Sequence, residues 1–410
     1  MSTPMSVSVS NSESMFSEDE KEVLRKIYVK SIEVIESVTM KNGAILASPP
    51  GARYPYLYPR DAMLILRVML ENGEYKKVKK SLEFVLGLAG EIGEWHQRYT
   101  KEGEPASYRP SQVDCNGLVL YMVKRYYDAT KDIRFLKKHW KVIYLGARFL
   151  EAHYIKEEKL VYSMNSIHEW PPMEAGFEIW ANACAYAGFK ASREIADVLS
   201  MDEDKRKWSA IEDDLKESIM KKMVAGGHFI KLRNMKRIDD ADISELGMYV
   251  LGLMSADEKI VVNTANYIEK ELYDKRLGGI CRHMRKHGKP GRNNGGYGPY
   301  SMYSGWMAQY WLDKGDENHA KKYFDWFIRH HRNGLIPEHV AKKDDFLLWR
   351  NEAREVGRYY QSGRKEEALR VMRSQDFKKR GLAYWVVPLT WGHAEFILAY
   401  CKLKEKGFLD

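Results

Sequence analysis

The sequence is poor in cysteine. Its 410 residues contain four, and these are Cys115, Cys184, Cys281 and Cys401. No two of them form a Cys-x-x-Cys pair, so the spacing that marks a structural zinc site is missing. We therefore expect no metal and no cofactor. Isolated thiols in apolar surroundings are typical of proteins kept in a reducing compartment, and the sequence favours a cytoplasmic location.

Long hydrophobic runs are missing as well. No stretch approaches the ~18–20 apolar residues that a transmembrane helix needs, and we expect no membrane partner. The first residues, MSTPMSVSVSNSES, lack the basic segment and the apolar run of a secretory signal. They predict a disordered tail over residues 1–16. No linker or shift in composition divides the remainder, which predicts a single domain over residues 17–410.

Charge of one sign is not in large excess. The chain carries 66 Lys and Arg against 57 Asp and Glu, which gives a formal net charge of +9. The two signs are mixed along the chain rather than gathered into basic runs among glycines, and this argues against a nucleic-acid partner. The sequence leaves the oligomeric state open.

Aromatic residues, by contrast, are plentiful. There are 26 Tyr, 13 Phe and 11 Trp in a chain that is 44% hydrophobic. This content suits a large helical core, and it suits equally well a cleft in which rings stack on the apolar faces of sugars. Composition alone leaves both interpretations open.

Apolar residues recur at helical spacing through most of the chain. The first helix is predicted to begin at Ser17, because Ser17 and Glu20 match a capping box. Six short polar turns then separate amphipathic helices, and they lie at Gly73, Lys131, Asp202, Asp257, Gly315 and Gly363. Recurring helix–turn–helix units of similar length predict stacked helical pairs.

Every second connection between the predicted helices is long. These loops cover residues 43–60, 90–113, 160–176, 226–242, 278–304 and 333–347. An open solenoid has short and similar loops, whereas long loops on one side of a scaffold usually carry function. We therefore predict an all-α fold, an (α/α)6 toroid of twelve main helices with its site at the loop-rich end.

The first long loop ends in YPYLYPRDAM, which brings aromatic rings next to Arg60 and Asp61. Rings for stacking beside a charged donor and an acceptor suit a sugar, whose hydroxyl groups are bound in pairs. Tyr54 and Tyr58 are the candidate rings. Asp61 has a second interpretation, because an acidic residue near a helix N-terminus is stabilised by the helix dipole.

The second and fifth loops add further candidates. Tyr108 precedes a Q-x-D-x-x-G pattern that opens a helix, and Asp114 in this pattern either contacts a ligand or caps the helix. The fifth loop begins GGICRHM and offers Arg282, and Trp306 follows in the next helix.

Two carboxylates complete the candidate site. Glu169 lies in SIHEWPP on the third loop, and Glu338 lies in GLIPEHV ahead of the segment PLTWGHAE, which contains Trp391. A single Glu on a loop is most often a solvated residue. Glu174 and Glu178 are rivals for Glu169, and the spacing of Glu178 favours a polar helix face or a support for the loop.

The order R-D, Q-x-D-x-x-G, I-x-E and P-E followed by P-L-T-W-x-H-A-E resembles glycoside hydrolase family 15, the glucoamylase-like enzymes. The resemblance implies that Glu169 is the general acid and Glu338 the general base. It implies sugar contacts from Tyr54, Tyr58, Arg60, Asp61, Tyr108, Asp114, His168, Arg282, Trp306 and Trp391. His168 departs from the usual Trp of the family, as does Tyr58 from the Trp of many members.

The same resemblance implies an inverting enzyme that releases β-glucose from the non-reducing end of short α-glucosides, isomalto- or malto-oligosaccharides. Family members commonly carry a β-sandwich before the toroid, and we expect none here. Inversion needs carboxyl groups ~6.5–9.5 Å apart. The apolar neighbours of Glu169 predict a protonated acid, and the basic, polar loop around Glu338 predicts an ionised base.

Three alternatives remain at the level of sequence. A trehalase of the same family would use the same carboxylates. A sugar epimerase on the same toroid would transfer protons with histidines, and the candidates are His168, His283, His339 and His393. A carbohydrate-binding relative without activity is expected to lose a catalytic Glu, and the presence of both Glu169 and Glu338 argues against it.

Overall fold

The computed structural model describes residues 15–169, 175–234, 237–238, 240–284, 294–361 and 363–409. Its α-helices are α1 (Glu18–Val38), α2 (Pro59–Glu71), α3 (Tyr75–Leu86), α4 (Val113–Thr130), α5 (Ile133–Ala152), α6 (Ile179–Val198), α7 (Asp202–Lys222), α8 (Gly247–Val250), α9 (Lys259–Leu272), α10 (Ser301–Asp313), α11 (Glu317–His330), α12 (Lys343–Glu355), α13 (Arg364–Arg373) and α14 (Thr390–Glu405). The strands are short: β1 (Tyr154–Ile155), β2 (Leu160–Val161), β3 (Phe177–Glu178), β4 (Val224–Ala225), β5 (His228–Phe229), β6 (Leu232–Arg233), β7 (Arg237–Ile238), β8 (His339–Lys342) and β9 (Leu382–Trp385).

The inner ring of the toroid consists of α2, α4, α6, α8, α10 and α14. Helix α2 packs against α4, α4 against α6, α10 against α14, and α14 returns to α2. The short α8, preceded by a 3-10 turn, packs against α6 and meets α10 where Tyr249 lies edge-on to Tyr310. Helices α10 and α14 are buried over most of their circumference, as expected of helices enclosed by others.

Two glycines let the inner helices approach one another closely. A Cβ atom on Gly117 of α4 would lie 2.1 Å from the carbonyl oxygen of Cys184 in α6. A Cβ atom on Gly305 of α10 would lie 2.7 Å from the Cβ atom of Glu395 in α14. Any side chain at these positions would push the ring apart, since the interior is close-packed. The last residue of the Q-x-D-x-x-G pattern therefore serves packing.

The outer helices α3, α5, α7, α9 and α11 each follow an inner helix across one of the predicted short turns. The sixth outer helix is α1, which packs against α14 and α11 and begins with the predicted capping box of Ser17 and Glu20. The sixth pair thus joins the two ends of the fold. The prediction that the turn at Gly363 marks this pair was wrong.

That turn belongs to an insertion between two strands. β8 and β9 pair antiparallel, with His339 opposite Trp385. Helices α12 and α13 form the connection between these two strands. Few positions of α12 and α13 are buried, and α13 packs on β9. Period and turn signals predict a helical hairpin, but they do not distinguish a hairpin in the ring from one that stands on it.

The first described residues already belong to the core. Phe16 is 1% exposed and lies edge-on to Phe324, with ring centroids 5.8 Å apart. The predicted tail therefore extends too far at this end, and residues 1–14 lie outside the described part. In the ranges that the structure describes, no helix is both long and apolar enough to cross a bilayer.

Candidate active site

A cavity of about 570 Å³ opens where the long loops meet. Ten of the residues predicted from the sequence line it, and these are Tyr54, Tyr58, Arg60, Asp61, Tyr108, His168, Glu169, Arg282, Glu338 and Trp391. They come from loops far apart in the chain, as a toroid with its site at one end requires. Asp114 and Trp306 do not line the cavity.

The buried end of the cavity is built on the first turn of α2. Arg60 and Asp61 are 5% and 7% exposed, and Arg60 Nε lies 3.2 Å from Asp61 Oδ1. Burial raises the pKa of Asp61 to about 6, although Arg60 acts in the other direction. A donor and an acceptor side by side at the end of a cavity can bind adjacent sugar hydroxyls.

Asp114 lies behind this pair. It is fully buried, its Oδ2 accepts a hydrogen bond from Trp180 Nε1 at 3.0 Å, and it lies 3.7 Å from Arg60 Nη1. Gln112 Oε1 accepts a hydrogen bond from the same Nη1 at 3.3 Å. The pattern that opens α4 thus holds Arg60 in place. The predicted sugar contact of Asp114 is not supported, because Arg60 covers it.

The two predicted tryptophans occupy different layers. Trp391 lines the cavity, and its Nε1 donates to Glu395 Oε1 at 2.8 Å. The same oxygen lies 2.5 Å from Arg67 Nη2. Trp306 lies beneath, with ring centroids 5.8 Å from Trp391 and 5.4 Å from Trp180. Its predicted sugar contact is not supported, because these rings cover it and leave it 1% exposed.

Glu169 is presented by a tight turn in which its backbone has a φ of 57°. Its Oε1 accepts a hydrogen bond from Arg60 Nη2 at 2.9 Å, and its Oε2 accepts one from Arg109 Nη1 at 3.3 Å. Burial raises the pKa of Glu169, but the two guanidiniums outweigh it, and the pKa lies below its ordinary value. The predicted protonated state was wrong, because Arg60 of α2 and Arg109 of the second loop, both distant in sequence, lie beside Glu169 in the fold. Trp170 and the prolines after it lie outside the described residues.

Glu338 lies at the start of the β8–β9 ribbon, where its backbone N–H donates to the carbonyl of Trp385 at 3.0 Å. Its Oε2 is buried and accepts no hydrogen bond from the described residues. Burial raises the pKa of Glu338 to about 8, against the effect of Arg53 and Arg282. The predicted ionised state was therefore also wrong, because folding covers this loop.

Arg282 connects the two carboxylates. Its Nη2 donates a hydrogen bond to the carbonyl of Ile167, two residues before Glu169. Burial raises the pKa of both Glu169 and Glu338, and the Arg282 guanidinium is one of the arginines that act in the opposite direction on each. It therefore lies within electrostatic reach of both, as a residue between them would.

His168 lines the cavity beside two buried carboxylates. Its Nε2 lies 3.4 Å from Glu178 Oε1 and 3.6 Å from Asp242 Oδ1. Glu178 also accepts a hydrogen bond from Ser166 Oγ at 2.7 Å and caps the N-terminus of α6. The interpretation of Glu178 as a support for the third loop is confirmed. Its rival Glu174 lies outside the described residues.

The predicted tyrosines trace the cavity from inside to outside. Tyr54 and Tyr58 lie edge-on, with ring centroids 6.4 Å apart, and the Tyr58 hydroxyl accepts a hydrogen bond from Arg98 Nη1 at 3.2 Å. Tyr108 is 84% exposed. The cavity thus leads from the buried pair on α2 to an exposed ring at its mouth.

Sequence reasoning missed several residues of the wall. Tyr300 and Tyr303 line the cavity, as do six further arginines: Arg53, Arg98, Arg109, Arg358, Arg364 and Arg370. The two tyrosines lie at the end of the predicted loop 278–304, where α10 begins, and this position was the available signal. The last three arginines carried none, because their hairpin was taken for part of the ring.

The four histidines of the epimerase alternative do not converge. His168 and His283 line the cavity, and burial lowers the pKa of His283 to about 3, so it is neutral. His339 is fully buried, with its ring 4.5 Å from that of Tyr300. The Nδ1 of His393 lies 2.7 Å from Ser31 Oγ of α1. His339 and His393 therefore support the fold.

No family model matches the sequence. An uncharacterized glycosyl hydrolase of Methanocaldococcus jannaschii is 24% identical over 339 residues, which cover 78% of this chain and 52% of that protein. The chain thus spans about half the length of the curated relative that it matches.

Solved structures of glycosidases share the fold. A glycosidase variant in complex with glucose superposes with a TM-score of 0.70 at 16% identity, over 96% of this chain and 100% of the other. A bacterial glucoamylase complexed with acarbose superposes with a TM-score of 0.66 at 16% identity, over 92% of this chain and 55% of the other. The glucoamylase of Saccharomycopsis fibuligera superposes with a TM-score of 0.64 at 13% identity, over 97% of this chain and 98% of the other. The prediction of the fold is confirmed: the chain has the (α/α)6 toroid of the glucoamylase-like structures.

Proposed function

We propose that this protein is a glucoamylase-like glycoside hydrolase that releases β-glucose from the non-reducing end of short α-glucosides. One observation carries the proposal: Glu169 and Glu338, from different loops, line a single cavity that also contains the buried Arg60–Asp61 pair. A sugar-binding protein needs such a pair but no additional two carboxylates. The name of the relative and the glucose in a structural neighbour are consistent with a sugar substrate.

The cavity supports short substrates. Its volume of about 570 Å³ lies in the ~300–1,000 Å³ range of small-molecule sites. In the proposed complex, the outer hydroxyls of the terminal glucose lie on Arg60 and Asp61 at the buried end. The rest of the substrate then points toward Tyr108 at the mouth, which is the arrangement an exo-acting enzyme needs.

The proposed chemistry is a single displacement at C1. Glu169 donates its proton to the glycosidic oxygen as the C1–O bond breaks. A water molecule attacks C1 from the opposite face, and Glu338 accepts the proton that this water loses. The leaving group departs as an alcohol, the glucose carries the water oxygen in the β position, and the protons balance.

The charges and burial around the cavity favour a different position for the shared proton. Arg60 and Arg109 stabilise the ionised form of Glu169, whereas burial favours the neutral form of Glu338. The reactive form, with the proton on Glu169, is then a minor part of a coupled pair. A base whose pKa is about 8 accepts a proton more readily than an ordinary carboxylate does, and this offsets part of the loss.

The test is to incubate the protein with maltose, isomaltose, trehalose and soluble starch and to follow the products by proton NMR. We expect β-glucose to appear first, and faster from the disaccharides than from starch. Release from trehalose alone would identify the trehalase alternative. Initial α-glucose would contradict inversion, and isomerisation without glucose release would contradict hydrolysis.

A further inference from the structure

The wall of the cavity carries an excess of positive charge. Among the described residues, eight arginines line the cavity against five carboxylates. Arg60 and Arg282 interact with the sugar end and with the catalytic carboxylates, as described above. Three of the remaining six donate to groups in the wall: Arg98 to the Tyr58 hydroxyl, Arg109 to Glu169 and Arg370 to Glu367. A neutral glucoside offers no reason for a further buried guanidinium, because one or two charged donors suffice to bind hydroxyl groups.

Arg364, the first residue of α13, is the clearest case. It is 8% exposed and forms no ion pair with the described residues. Its Nε donates to Asn294 Oδ1 at 2.9 Å and its Nη1 to the carbonyl of Arg358 at 3.3 Å. Its Nη2 donates to none of the described residues. A buried guanidinium in a cavity with a donor to spare is a site for an acceptor.

The neighbours of Arg364 add charge of the same sign. Burial lowers the pKa of Arg364 to about 10, and Arg53, Arg358 and Arg109 contribute in the same direction. We call these four residues the arginine cluster. They come from three separate segments of the chain: the first loop, the second loop and the insertion.

Glu169 pairs with Arg109, and the other carboxylates of the cavity wall form no ion pair with Arg364 among the described residues. Glu367 is paired with Arg370, with 2.5 Å between Oε1 and Nη2, and also accepts a hydrogen bond from the backbone N–H of Val386. Glu366 is exposed. Glu338 is largely neutral at physiological pH, because its pKa is about 8. An anion from outside the chain would pair with Arg364 and offset the repulsion that Arg53, Arg358 and Arg109 exert on it.

We propose that the arginine cluster binds an anionic group, a carboxylate or a phosphate, on the leaving group of the glucoside. The substrate is then an acidic glucoside rather than a neutral oligosaccharide. This inference rests on the proposed function, because it places the glucose on Arg60 and Asp61. Guanidiniums suit the task, since their planar array of donors matches the oxygens of carboxylate and phosphate.

Arg109 explains why the anion belongs to the leaving group. It is a member of the cluster, and its Nη1 also lies 3.3 Å from Glu169 Oε2. Glu169 protonates the oxygen that departs with the leaving group, so the cluster lies on that side of the bond. An anion that competes for Arg109 also favours the protonated form of Glu169, which the reaction needs.

Matched pairs of substrates test the inference. Maltose is compared with maltobionate, and trehalose with trehalose 6-phosphate, which separates a preference for carboxylate from one for phosphate. We expect at least one anionic member to have a kcat/KM at least tenfold above its neutral partner, and high salt should reduce the difference. Maltose 6′-phosphate, with its phosphate on the non-reducing glucose, should gain nothing. Equal or lower values for both anionic substrates would overturn the inference.

Variants locate the effect. Arg364→Gln should lower kcat/KM for the anionic substrate at least tenfold more than for the neutral one, and Arg364→Lys should recover part of the loss. Arg354→Gln on the exposed face of the same hairpin is the matched control and should change neither. Circular dichroism verifies that each variant folds. An equal loss on both substrates in Arg364→Gln would show a structural role only.

Binding separates this inference from the proposed function. Calorimetric titration of the Glu338→Gln protein with maltobionate and maltose reports on the cluster without any turnover. Preference for the anion with no hydrolysis of any glucoside by the native protein would contradict the hydrolase and leave the anion site standing. Hydrolysis with no preference for the anion in binding or turnover would contradict the anion site and leave the hydrolase standing.

Discussion

Arg60 Nη2 lies 2.9 Å from Glu169 Oε1, although 109 residues separate the two in sequence. This ion pair joins the first turn of α2, where sugar binding is proposed, to the loop that presents the proposed acid. Glu169 can donate a proton only from a state in which this attraction is overcome. The binding of substrate and the protonation of Glu169 are therefore expected to depend on one another, and the predictions below address that link.

The first prediction distinguishes the roles of the two carboxylates. Glu169→Gln should lower kcat for maltose at least ~10²-fold, the scale for losing a general acid, and should affect α-glucosyl fluoride much less. Fluoride departs without a proton, so only the acid becomes dispensable. Initial rates of glucose release on the two substrates are the measurement.

Glu338→Gln is the matched variant and should be slow on both substrates. Azide, which attacks without a base, should restore turnover and yield β-glucosyl azide. Rescue of Glu169→Gln by azide and of Glu338→Gln by the fluoride leaving group would reverse the two roles.

The second prediction concerns the Arg60–Asp61 pair. Asp61→Asn removes a charged acceptor from the sugar end, and a hydrogen bond to a charged group is worth ~1.5–3 kcal/mol. We expect kcat/KM to fall ~10- to 100-fold while the protein stays folded. Asp257→Asn, at an exposed pair with Lys314, is the control. Unchanged kinetics in Asp61→Asn would remove this residue from the site.

The third prediction is a pH profile. The active form carries one proton on the Glu169–Glu338 pair. Activity should therefore fall as the pH rises through about 8, where Glu338 loses that proton, and fall again below the depressed pKa of Glu169, where both are protonated. A bell-shaped plot of kcat/KM on a neutral substrate should show both limbs.

Arg109→Gln sharpens that test. Loss of one cation beside Glu169 should move the acid limb to higher pH and leave the limb near pH 8 in place. Lys138→Gln, which removes a cation paired with Glu83 on the surface, is the control. A shift of only the limb near pH 8 in Arg109→Gln would contradict the conclusion that Arg109 lowers the pKa of Glu169.

The fourth prediction concerns stability. Arg67, Glu395 and Trp391 form a buried network below the cavity, and Glu395→Ala leaves Arg67 buried without its partner. Breaking a buried pair in this way costs ~3–5 kcal/mol of unfolding free energy. Lys402→Ala breaks the surface pair with Asp313 and should cost at most ~1 kcal/mol. Urea unfolding measures both, and equal losses would contradict the structural role of Glu395.

Much of the scaffold could be predicted because it rests on local signals. The capping box at Ser17 and the short turns at Gly73, Lys131 and Gly315 depend on neighbouring residues alone. The motif order placed ten residues in the cavity wall, because the resemblance assigns one motif to each loop. Ring membership of the hairpin at Gly363 depends instead on contacts between distant segments, and the local pattern carries no record of them.

The predicted protonation states of Glu169 and Glu338 were wrong for a related reason. The surroundings of Glu169 and Glu338 were judged from their sequence neighbours, which are apolar in one case and basic in the other. In the fold, Glu169 pairs with Arg60 of α2 and Arg109 of the second loop, and the Oε2 atom of Glu338 is buried. A pKa reports surroundings in space, and the sequence alone does not supply them.

The pairing of α1 with α14 has a consequence for how the protein reaches this state. The ring closes only when α14, the last inner helix, packs against α1, α2 and α10. This inner position therefore stays empty until α14 has left the ribosome. Until then one flank of the growing barrel exposes apolar surface. We expect folding to finish after synthesis, and truncation of α14 to leave an aggregation-prone chain instead of a smaller stable domain.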